Sequence, residues 1–592
     1  MKKSLISLLA AVALTGCGQH VLFENGKSDY TIVVDSEDSE CVQYAAQELQ
    51  NWVKEVSGVT LPIGDLESGK KGRRLVVGYN SLLQKSLGDA GEPDGQNDSF
   101  TWKSKGGDIF LWGDTDRGTL YSVYSILEEE LGCRWYTSSV SLTPKWDSWT
   151  FTELSHHEAP TFRMRNDFYY DILHHHDHAA RLRNNSMLFG SMEPVYGSSA
   201  DYCGGHSLVG FVSVNEYYDT HPEYFSEIDG KRIKERAQIC LSNPDVLKIV
   251  TEKVRNLMRT QPGYLVYSVS QGDWGNPCQC EECRKIKEQY GNQESGILVW
   301  FVNQVADAVK DEFPDKFVGT FAYQYSRHAP ENIKPHDNVV IRLCSIEECQ
   351  LHDFDSCERN TSFRTDLQEW SAIAPHLYIW DYSTAFSNYL LPLPNVWTFQ
   401  NRLQYYRDNN VFGLMPEGSY QGPENAFEDM KTYILAKLMW NADCDVDAVI
   451  EDFTDGYFGP VAGPVIRDYM DFERQILARS EVHEACYPWE DSELYTDEFV
   501  TKGKEFFEKA KDAVRENGGD DVDEYIRRIE YAEIAICYLE LMRDPHAGVE
   551  DGSFDLFKRV VEKEGISQIR EGGFWADEFI EEVENKTKDM KK

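Results

Sequence analysis

The chain has a deficit of positive charge and lacks a long hydrophobic segment outside its N-terminus. Its 592 residues include 59 Lys and Arg against 100 Asp and Glu, which gives a net charge of −41. An acidic protein of this kind repels phosphates, so we exclude nucleic acid and anionic membrane surfaces as partners. No segment beyond the N-terminal one is apolar over the length that a bilayer requires.

Several motifs of cofactor and nucleotide chemistry are also missing. The sequence contains no Walker-type loop, no dinucleotide fingerprint, no HExxH pair and no serine nucleophile elbow. It has no internal repeat, and its only biased tract is the short run His174–His178. We therefore expect no cofactor.

The N-terminus has the pattern of an export signal. Lys2 and Lys3 precede an apolar run from Leu5 to Leu14, which is too short to cross a membrane. The run ends in Leu14-Thr15-Gly16-Cys17, the pattern of a bacterial lipobox. Residues 1–17 are thus predicted to be a lipoprotein signal with Cys17 as the lipidated residue. The protein would be lipid-anchored in the bacterial cell envelope, most simply at the outer membrane; an ordinary cleaved signal peptide is the alternative.

A chain of this length exceeds one hydrophobic core, and the residue patterns divide it into three regions. Residues 21–155 are predicted to form a small α+β domain. Its strands are predicted at Tyr30–Val34, Arg74–Gly78 and Asp108–Gly113, with a helix around Val42–Val53 and another at Gly118–Leu131. Residues 431–592 are predicted to be helical.

The central region, residues 156–430, alternates strand and helix patterns, which predicts a (β/α)8 TIM barrel of the α/β class. Its helices are predicted at Pro244–Arg259, Gly296–Glu312 and Asn395–Asp408. Its eight strands are predicted at Phe162–Asn166, Ser186–Phe189, Leu208–Val214, Tyr264–Ser270, Phe317–Tyr323, Asn338–Ser345, His376–Trp380 and Val411–Met415.

Four of these strands end at or just before a carboxylate. Residues that follow the strands of a parallel barrel converge on one face, so these acids are expected to meet there. A ring of carboxylates edged with Trp and Tyr is typical of enzymes that cleave glycosidic bonds. Each acid taken alone is about as easily a turn cap. The four carboxylates are Asp273, Glu347, Asp381 and Glu417.

Strand alternation places Glu347 and Glu348 on opposite sides of the chain, and Glu347 is in phase with Ser345 and Leu343. We therefore choose Glu347 for the cavity. Further side chains at the strand ends offer flat faces or hydrogen bonds to a sugar. The predicted binding residues are Trp274, Trp380, Tyr382, Tyr323, Gln324 and His206.

Fourteen cysteines in an exported chain permit disulfides, and removing Cys17 leaves an odd number. The segment Cys278-Gln279-Cys280-Glu281-Glu282-Cys283 resembles half of a zinc site, but no second CxxC follows at finger-like spacing. Disulfides with Cys344, Cys349 or Cys357 are the alternative. Consecutive histidines in His174–His178 point in different directions, so they do not form one centre. We assign no metal site.

Longer stretches of the chain resemble a known family. The segments SVSQGDW, CQCEEC, IRLCSIEECQLH, LYIWDYSTAFSNYLLPLPN and NNVFGLMPEGSY are similar to motifs of the bacterial domain of unknown function 4838. The preceding segment GDTDRGTLYSVYSILEEELGCRWYT resembles the N-terminal domain of hexosaminidases and α-glucuronidases. The resemblance covers about residues 30 to 460.

Part of that family is classified as glycoside hydrolase family 163. The resemblance implies an endo-β-N-acetylglucosaminidase of a Bacteroides-like glycan degrader that acts on complex N-glycans. In substrate-assisted hydrolysis the acetamido oxygen is the nucleophile. Asp273 and Glu347 would then be the general acid and the residue that orients the acetamido group, in either order. Asp381, Tyr382 and Glu417 would hold the substrate.

Two other functions stay open at this point. An α-glucuronidase-like exo-glycosidase would need a basic partner for the substrate carboxylate, for which Arg342 or Arg327 is available. A glycan-binding lipoprotein without catalysis would need the aromatic residues but not the acids. The sequence does not indicate an oligomeric state.

Overall fold

The computed structural model describes residues 18–67, 72–188, 190–199, 202–423 and 427–588. These residues form two compact units. The first comprises the residues up to 134 together with 143–159, and the second comprises residues 135–142 and the chain from 160 onward. In the described ranges, no helix has both the length and the hydropathy needed to cross a membrane.

The first unit is built on a six-stranded mixed sheet with helices Glu40–Ser57, Ser81–Leu87 and Asp116–Glu129. The hydroxyl of Ser39 caps the first helix, and Gly58 ends it at a φ of 74°. The predicted strands of this region are confirmed. In spatial order the sheet strands are Ser155–Glu158, Phe100–Lys105, Asp108–Gly113, Arg73–Val77, Tyr30–Val33 and Ile63–Gly64. Two further strands, His20–Glu24 and Ser148–Phe151, pair with each other.

The core of the second unit is a sheet of seven parallel strands. In chain order they are β1 (Met164–Arg165), β2 (Tyr202–Cys203), β3 (Val266–Ser268), β4 (Phe317–Ala322), β5 (Val339–Cys344), β6 (His376–Tyr382) and β7 (Val411–Glu417). Their spatial order is β1-β7-β6-β5-β4-β3-β2, so consecutive strands from β2 to β7 are neighbours and β1 joins β7.

The sheet curls around a filled interior. The rings of Tyr202 on β2 and Tyr378 on β6 are 5.9 Å apart, although three strands separate them in the sheet. Between them lies the fully buried guanidinium of Arg342, 4.6 Å from the ring of Tyr202 and 4.5 Å from that of Trp380. The aromatic rings therefore stabilise this buried charge through cation–π interactions. The fold is a curled parallel sheet of the barrel type.

Two of the eight predicted barrel strands are wrong. Ser186–Leu188 is irregular, and Phe189 lies outside the described residues. The segment still runs beside β1, because the N–H of Asn185 donates to the carbonyl oxygen of Arg165 over 3.1 Å, while the Asn185 side chain accepts the N–H of Arg165 over 2.8 Å. The side-chain amide of Asn185 thus takes the place of one backbone acceptor in a parallel strand pair.

The predicted strand Leu208–Val214 instead forms helix Leu208–Phe211 and enters a second helix, Val214–Tyr217. A short apolar run does not distinguish a buried strand from a buried helix, which explains the error. The strand at this place in the sheet is Tyr202–Cys203, and it does not pair with β1 in the described residues. The remaining six predicted strands are confirmed, although β1 and β3 are shorter than predicted.

Helices follow the strands and fill the C-terminal part of the same unit. Pro244 at the first turn and the Asn243 side chain fix the start of the long helix before β3. Short antiparallel pairs lie at Glu227–Ile228 with Lys231–Arg232, and at Gln568–Arg570 with Phe574–Trp575. The helices up to β7 are Tyr170–His174, His176–Arg181, Leu208–Phe211, Val214–Tyr217, Pro244–Thr260, Glu281–Glu288, Glu294–Val309, Thr361–Ile373 and Val396–Asp408. Those after β7 are Glu428–Trp440, Val446–Tyr457, Gly463–Arg479, Asp497–Asn517, Val522–Arg543, Pro545–Glu550, Ser553–Glu564 and Ala576–Lys586.

Candidate active site

A cavity of about 240 Å³ lies at the carboxyl ends of β3 to β7. This is the face of a parallel barrel on which active sites are built. Three carboxylates line it, namely Asp273, Glu417 and Glu571. The other lining residues are Phe168, Leu188, His206, Phe321, Tyr323, Cys344, Ile346, Trp380, Tyr382, Tyr420 and Tyr487.

Glu417 is the last residue of β7, and its side chain lies against the aromatic floor of the cavity. It is 6% exposed, and the indole N–H of Trp380 donates to its Oε2 over 2.6 Å. Burial raises the pKa of Glu417 to about 8, with a further contribution from the charges of Glu571 and Asp273. The Trp380 hydrogen bond and Arg342 oppose that rise. Glu417 therefore holds a proton at neutral pH.

Asp273 lies in the loop after β3 and faces the same cavity, with its side chain 59% exposed. The hydroxyl of Tyr323 donates to its Oδ1 over 3.0 Å, and the side-chain amide of Gln324 donates to the Tyr323 hydroxyl over 2.9 Å. His206 Nε2 lies 3.9 Å from Asp273 Oδ1. The structure thus brings three of the predicted residues, Tyr323, Gln324 and His206, together around the Asp273 carboxylate.

The third carboxylate comes from the C-terminal region, where no sequence motif pointed to it. Glu571 lies between the strands Gln568–Arg570 and Phe574–Trp575. Its Oε2 accepts the hydroxyl of Tyr487 over 3.1 Å, and both residues line the cavity. Burial, together with the charge of Asp273, raises the pKa of Glu571. The sequence predicted no strand before either residue, so only the tertiary structure shows that they line the cavity.

Aromatic rings supply the apolar part of the wall. Trp380 and Tyr382 on β6 are almost parallel, with ring centroids 6.5 Å apart and an interplanar angle of 14°. Phe168 and Tyr420 lie together on the side of β1 and β7, with centroids 4.9 Å apart. Flat faces of this kind match the apolar face of a pyranose ring. Trp380 and Tyr382, which the sequence predicted as binding residues, both line the cavity.

Glu347 is not among the residues that line the cavity. Its Oε2 accepts Nη1 of Arg327 over 2.7 Å, and its side chain is 50% exposed. The neighbouring Glu348 is buried, and burial raises its pKa to about 9. Strand β5 ends at Cys344, so the alternation used to choose Glu347 no longer applies three residues later. Glu347 therefore lies outside the cavity in which the sequence predicted it to act.

Asp381 points away from the cavity. It is 1% exposed, and it accepts hydrogen bonds from Ser345 Oγ over 2.6 Å, from Tyr406 over 3.2 Å and from Arg402 over 3.3 Å. Successive residues of a strand face opposite sides, so Trp380 and Tyr382 face the cavity while Asp381 faces the helix layer. The predicted sugar contact of Asp381 is therefore replaced by a buried ion pair with Arg402.

Trp274 and Gln324, which the sequence predicted as binding residues, are also not among the residues that line the cavity. The Trp274 ring folds back onto Gly272, where an added Cβ would lie 2.9 Å from the indole. Any side chain at Gly272 would displace that ring, which explains the glycine at this turn. Gln324 reaches the site only through its hydrogen bond to Tyr323. Both residues support the loop that carries Asp273 and its partner.

A sequence model that covers the parallel sheet shows the family of the chain. The model described as "Domain of unknown function (DUF4838)" matches residues 135–471, which is more than half of the chain. The chain belongs to the DUF4838 family. The match includes the whole parallel sheet and the residues Asp273 and Glu417. Glu571 and Tyr487, in contrast, lie beyond the matched range. No curated protein matches this DUF4838 chain.

Solved structures show what the DUF4838 fold is similar to. A family GH115 4-O-methyl-α-glucuronidase with specificity for decorated arabinogalactans is 13% identical, with a TM-score of 0.60 over 95% of this chain and 78% of that one. A chitobiase from Flavobacterium johnsoniae is 12% identical, with a TM-score of 0.45 over 96% of this chain and 97% of that one. The first of these shows that the fold is one also used by a glycoside hydrolase.

Proposed function

We propose that this DUF4838 protein is a glycoside hydrolase that cleaves β-N-acetylglucosaminides, acting within complex N-glycans. The observation that carries the proposal is the pairing of a buried Glu417, whose pKa burial raises to about 8, with a solvent-facing Asp273 in one aromatic-lined cavity. Enzymes of this class need one carboxyl group that retains its proton near neutral pH and a second that acts as a carboxylate.

Glu417 is the proposed general acid. With a pKa of about 8 it retains its proton at pH 7, so it can protonate the leaving oxygen as the glycosidic bond breaks. The resulting carboxylate then accepts a proton from the water that completes hydrolysis. The sequence resemblance had assigned the acid to Asp273 or Glu347; the geometry supports Glu417 instead.

Asp273 and Tyr323 are the proposed binding pair for the acetamido group. An acetamide presents one N–H donor, which the Asp273 carboxylate can accept, while the Tyr323 hydroxyl donates a hydrogen bond to Oδ1 of Asp273 and so orients that carboxylate. Asp273 would accept the N–H and bring the carbonyl oxygen towards the anomeric carbon. That oxygen forms the new bond to carbon as the glycosidic bond breaks, and water then opens the oxazolinium ring.

The α-glucuronidase alternative lacks support in this cavity. A substrate carboxylate needs a cationic partner, yet the described residues of the cavity wall include no Lys or Arg. Arg342 is enclosed by aromatic rings, and Arg327 is bonded to Glu347 and Asp366. Asp273 and Glu571 would repel a uronic acid. Fold similarity to a glucuronidase does not outweigh this charge pattern.

The cellular setting is part of the same proposal. The lipobox ending in Cys17 would anchor the enzyme in the bacterial envelope, where host or dietary glycoproteins are accessible. Residues 1–17 lie outside the described part of the chain, so this placement rests on the sequence motif alone. A lipid anchor would leave the catalytic unit free to act on large glycoproteins.

Product analysis by mass spectrometry tests the function. The purified protein is incubated with a glycoprotein that carries complex N-glycans, with an aryl β-N-acetylglucosaminide and with an aryl α-glucuronide. We expect release of a glycan that ends in N-acetylglucosamine, and no product from the glucuronide. Glu417→Gln should release no glycan from the glycoprotein, while Asp443→Asn, which changes an exposed acid outside the cavity, should match the wild type. Glucuronide cleavage, or glycan binding without any product, would contradict the proposal.

A further inference from the structure

Two groups of side chains outside the cavity each bring four metal-ligand atoms within 4.8 Å of one another. The four-cysteine cluster consists of Cys240, Cys278, Cys280 and Cys283. The cysteine–histidine cluster consists of Cys349, His352, Cys357 and His483. We propose that each cluster binds one Zn²⁺ ion, and that the two ions hold the loops on either side of the cavity. Metal binding itself does not depend on the proposed hydrolase activity.

The sulfur positions of the four-cysteine cluster match a tetrahedral thiolate site. Cys240 Sγ lies 3.7 Å from Cys280 Sγ and 3.8 Å from Cys283 Sγ. Four sulfurs at the usual Zn–S distance of about 2.3 Å define a tetrahedron with edges of about 3.8 Å. A disulfide would instead bring two sulfurs to about 2.0 Å. None of the thirteen cysteines in the described part of the chain forms a disulfide.

Donors around the four-cysteine cluster are placed to offset the charge of four thiolates. The backbone N–H of Glu227 lies 3.4 Å from Cys278 Sγ, and Nη1 of Arg232 lies 3.5 Å from the same sulfur. The hydroxyl of Ser242 is 3.2 Å from Cys283 Sγ. Such groups orient thiolate ligands and tune the metal. The chain therefore supplies the surroundings of a metal site as well as its ligands.

The fourth ligand explains why the sequence did not predict this site. Cys240 precedes the other three, just before helix Pro244–Thr260, so a search for a second CxxC downstream misses it. The disulfide partners suggested by the sequence lie elsewhere: Cys344 lines the cavity, while Cys349 and Cys357 belong to the second cluster. The segment Cys278–Cys283 thus supplies three of the four ligands, and the fourth, Cys240, lies upstream of it.

The four-cysteine cluster is directly connected to the loop that carries Asp273. Gln238, two residues before Cys240, accepts the N–H of Gly272 over 2.9 Å and donates back to the Gly272 carbonyl oxygen over 2.9 Å. Cys278 follows on the other side of the same loop. An ion at the cluster thus fixes both ends of the segment that positions Asp273.

The cysteine–histidine cluster has equally short ligand-to-ligand distances. Cys349 Sγ lies 3.3 Å from His352 Nδ1 and 3.4 Å from His483 Nδ1, while Cys357 Sγ lies 3.5 Å from His483 Nδ1. A tetrahedral zinc site with two sulfur and two nitrogen ligands gives S···N distances of about 3.6 Å. Both histidines present Nδ1 to the sulfurs, and a ring nitrogen directed at the thiolates is what coordination requires.

This second cluster joins two chain segments that form the cavity wall. The backbone N–H of Gln350 donates to the carbonyl oxygen of Glu484 over 2.7 Å, and Cys486 Sγ lies 3.5 Å from the carbonyl oxygen of Ile346. Ile346 and Tyr487 line the cavity. The ion would therefore tie the loop after β5 to the segment that carries Tyr487, the partner of Glu571.

Zinc suits both clusters because they are closed four-ligand sites of sulfur and nitrogen. Sulfur-rich tetrahedral sites bind zinc or iron, and structural zinc sites take four protein ligands. Oxygen-preferring ions such as Ca²⁺ and Mg²⁺ are disfavoured by thiolates. An ion with no redox chemistry would also be compatible with a purely structural role beside the active site.

Elemental analysis of the purified full chain is the direct test. We expect two zinc ions per chain by plasma mass spectrometry. Cys240→Ser and His483→Ala should each retain one, whereas Cys444→Ser and His221→Ala, which change residues outside both clusters, should retain two. Co²⁺ substituted into the protein should show the absorption of tetrahedral thiolate coordination, and Cys240→Ser should lose the larger part of it, because four of the six thiolate ligands belong to that cluster.

A second measurement covers a variant that fails to fold. Titration of the native wild-type protein with an organic mercurial should release two zinc ions into a colorimetric indicator. Alkylation without reductant, followed by peptide mapping, should find the six clustered cysteines as free thiols. Iron in place of zinc, no bound metal, or disulfides among these six cysteines would overturn the proposal.

Discussion

The indole N–H of Trp380 donates a hydrogen bond to Oε2 of Glu417 over 2.6 Å. In the register of β6 and β7, Glu417 is opposite Tyr382, and Trp380 lies two residues earlier on β6, so its indole N–H reaches Glu417 diagonally across the strand pair. The buried guanidinium of Arg342 lies 4.5 Å from the centroid of the same Trp380 ring. Trp380 therefore contacts both the proposed acid, Glu417, and the buried guanidinium of Arg342.

Glu417→Gln should abolish turnover without affecting the fold. General-acid catalysis contributes about 10²- to 10⁴-fold, and glutamine has no proton to transfer. We expect a loss of kcat in that range on an aryl β-N-acetylglucosaminide with a poor leaving group. A leaving group that needs no protonation should recover much of the rate. If the variant were equally impaired on both substrates, Glu417 would not be the acid.

The pH profile of kcat/KM should fall on the alkaline side near pH 8, because Glu417 must be protonated and its pKa is about 8. Trp380→Phe removes a hydrogen bond that lowers this pKa, so the fall should move to higher pH by about one unit. Glu571→Gln removes a negative charge that raises the pKa, so the fall should move to lower pH. Shifts of the same sign in both variants would argue against this assignment.

Asp273→Asn should reduce kcat by about 100-fold on N-acetylglucosaminides, because an amide no longer stabilises the charged acetamido group. Tyr323→Phe should cost about tenfold, since the hydrogen bond that orients the Asp273 carboxylate is lost. Steady-state kinetics on the aryl substrate measures both. A thiazoline mimic of the cyclic intermediate should inhibit the wild type and bind more weakly to both variants. Unchanged inhibition would exclude substrate assistance through this pair.

Glu347→Gln should retain most of the activity, within about threefold of the wild type, because its side chain bonds Arg327 outside the cavity. Exposed ion pairs contribute about 0–1 kcal/mol, so the melting temperature should also change little. A loss comparable to that of Glu417→Gln would restore Glu347 to the catalytic role that the sequence predicted.

Asp381→Asn should weaken the fold rather than the chemistry. It leaves the buried guanidinium of Arg402 without its counter-ion, which costs about 3–5 kcal/mol of unfolding free energy. Urea denaturation should show this loss, while the exposed control Asp443→Asn should lie within about 0.5 kcal/mol of the wild type. At low temperature kcat should stay near that of the wild type. Normal stability with lost turnover would place Asp381 in the active site after all.

The sequence alone determined the parallel strand-and-helix pattern from Val266 to Glu417, because hydrophobic periodicity and strand-end acids are local features of the chain. Asp273, Glu417, Trp380 and Tyr382, which the sequence singled out near strand ends, all line one cavity. Packing then decided which of these groups share one cavity. Strand alternation directs the Asp381 side chain away from the cavity. Strand β5 ends at Cys344, so the alternation by which we selected Glu347 does not extend to that residue.

Only the tertiary structure could supply Glu571 and Tyr487 to the cavity and Cys240 and His483 to the two clusters. Each comes from a segment distant in the sequence and carries no motif of its own. The raised pKa of Glu417 likewise depends on burial and on charges from three separate segments. Periodicity is encoded locally, whereas desolvation and ligand geometry arise only when distant segments pack together.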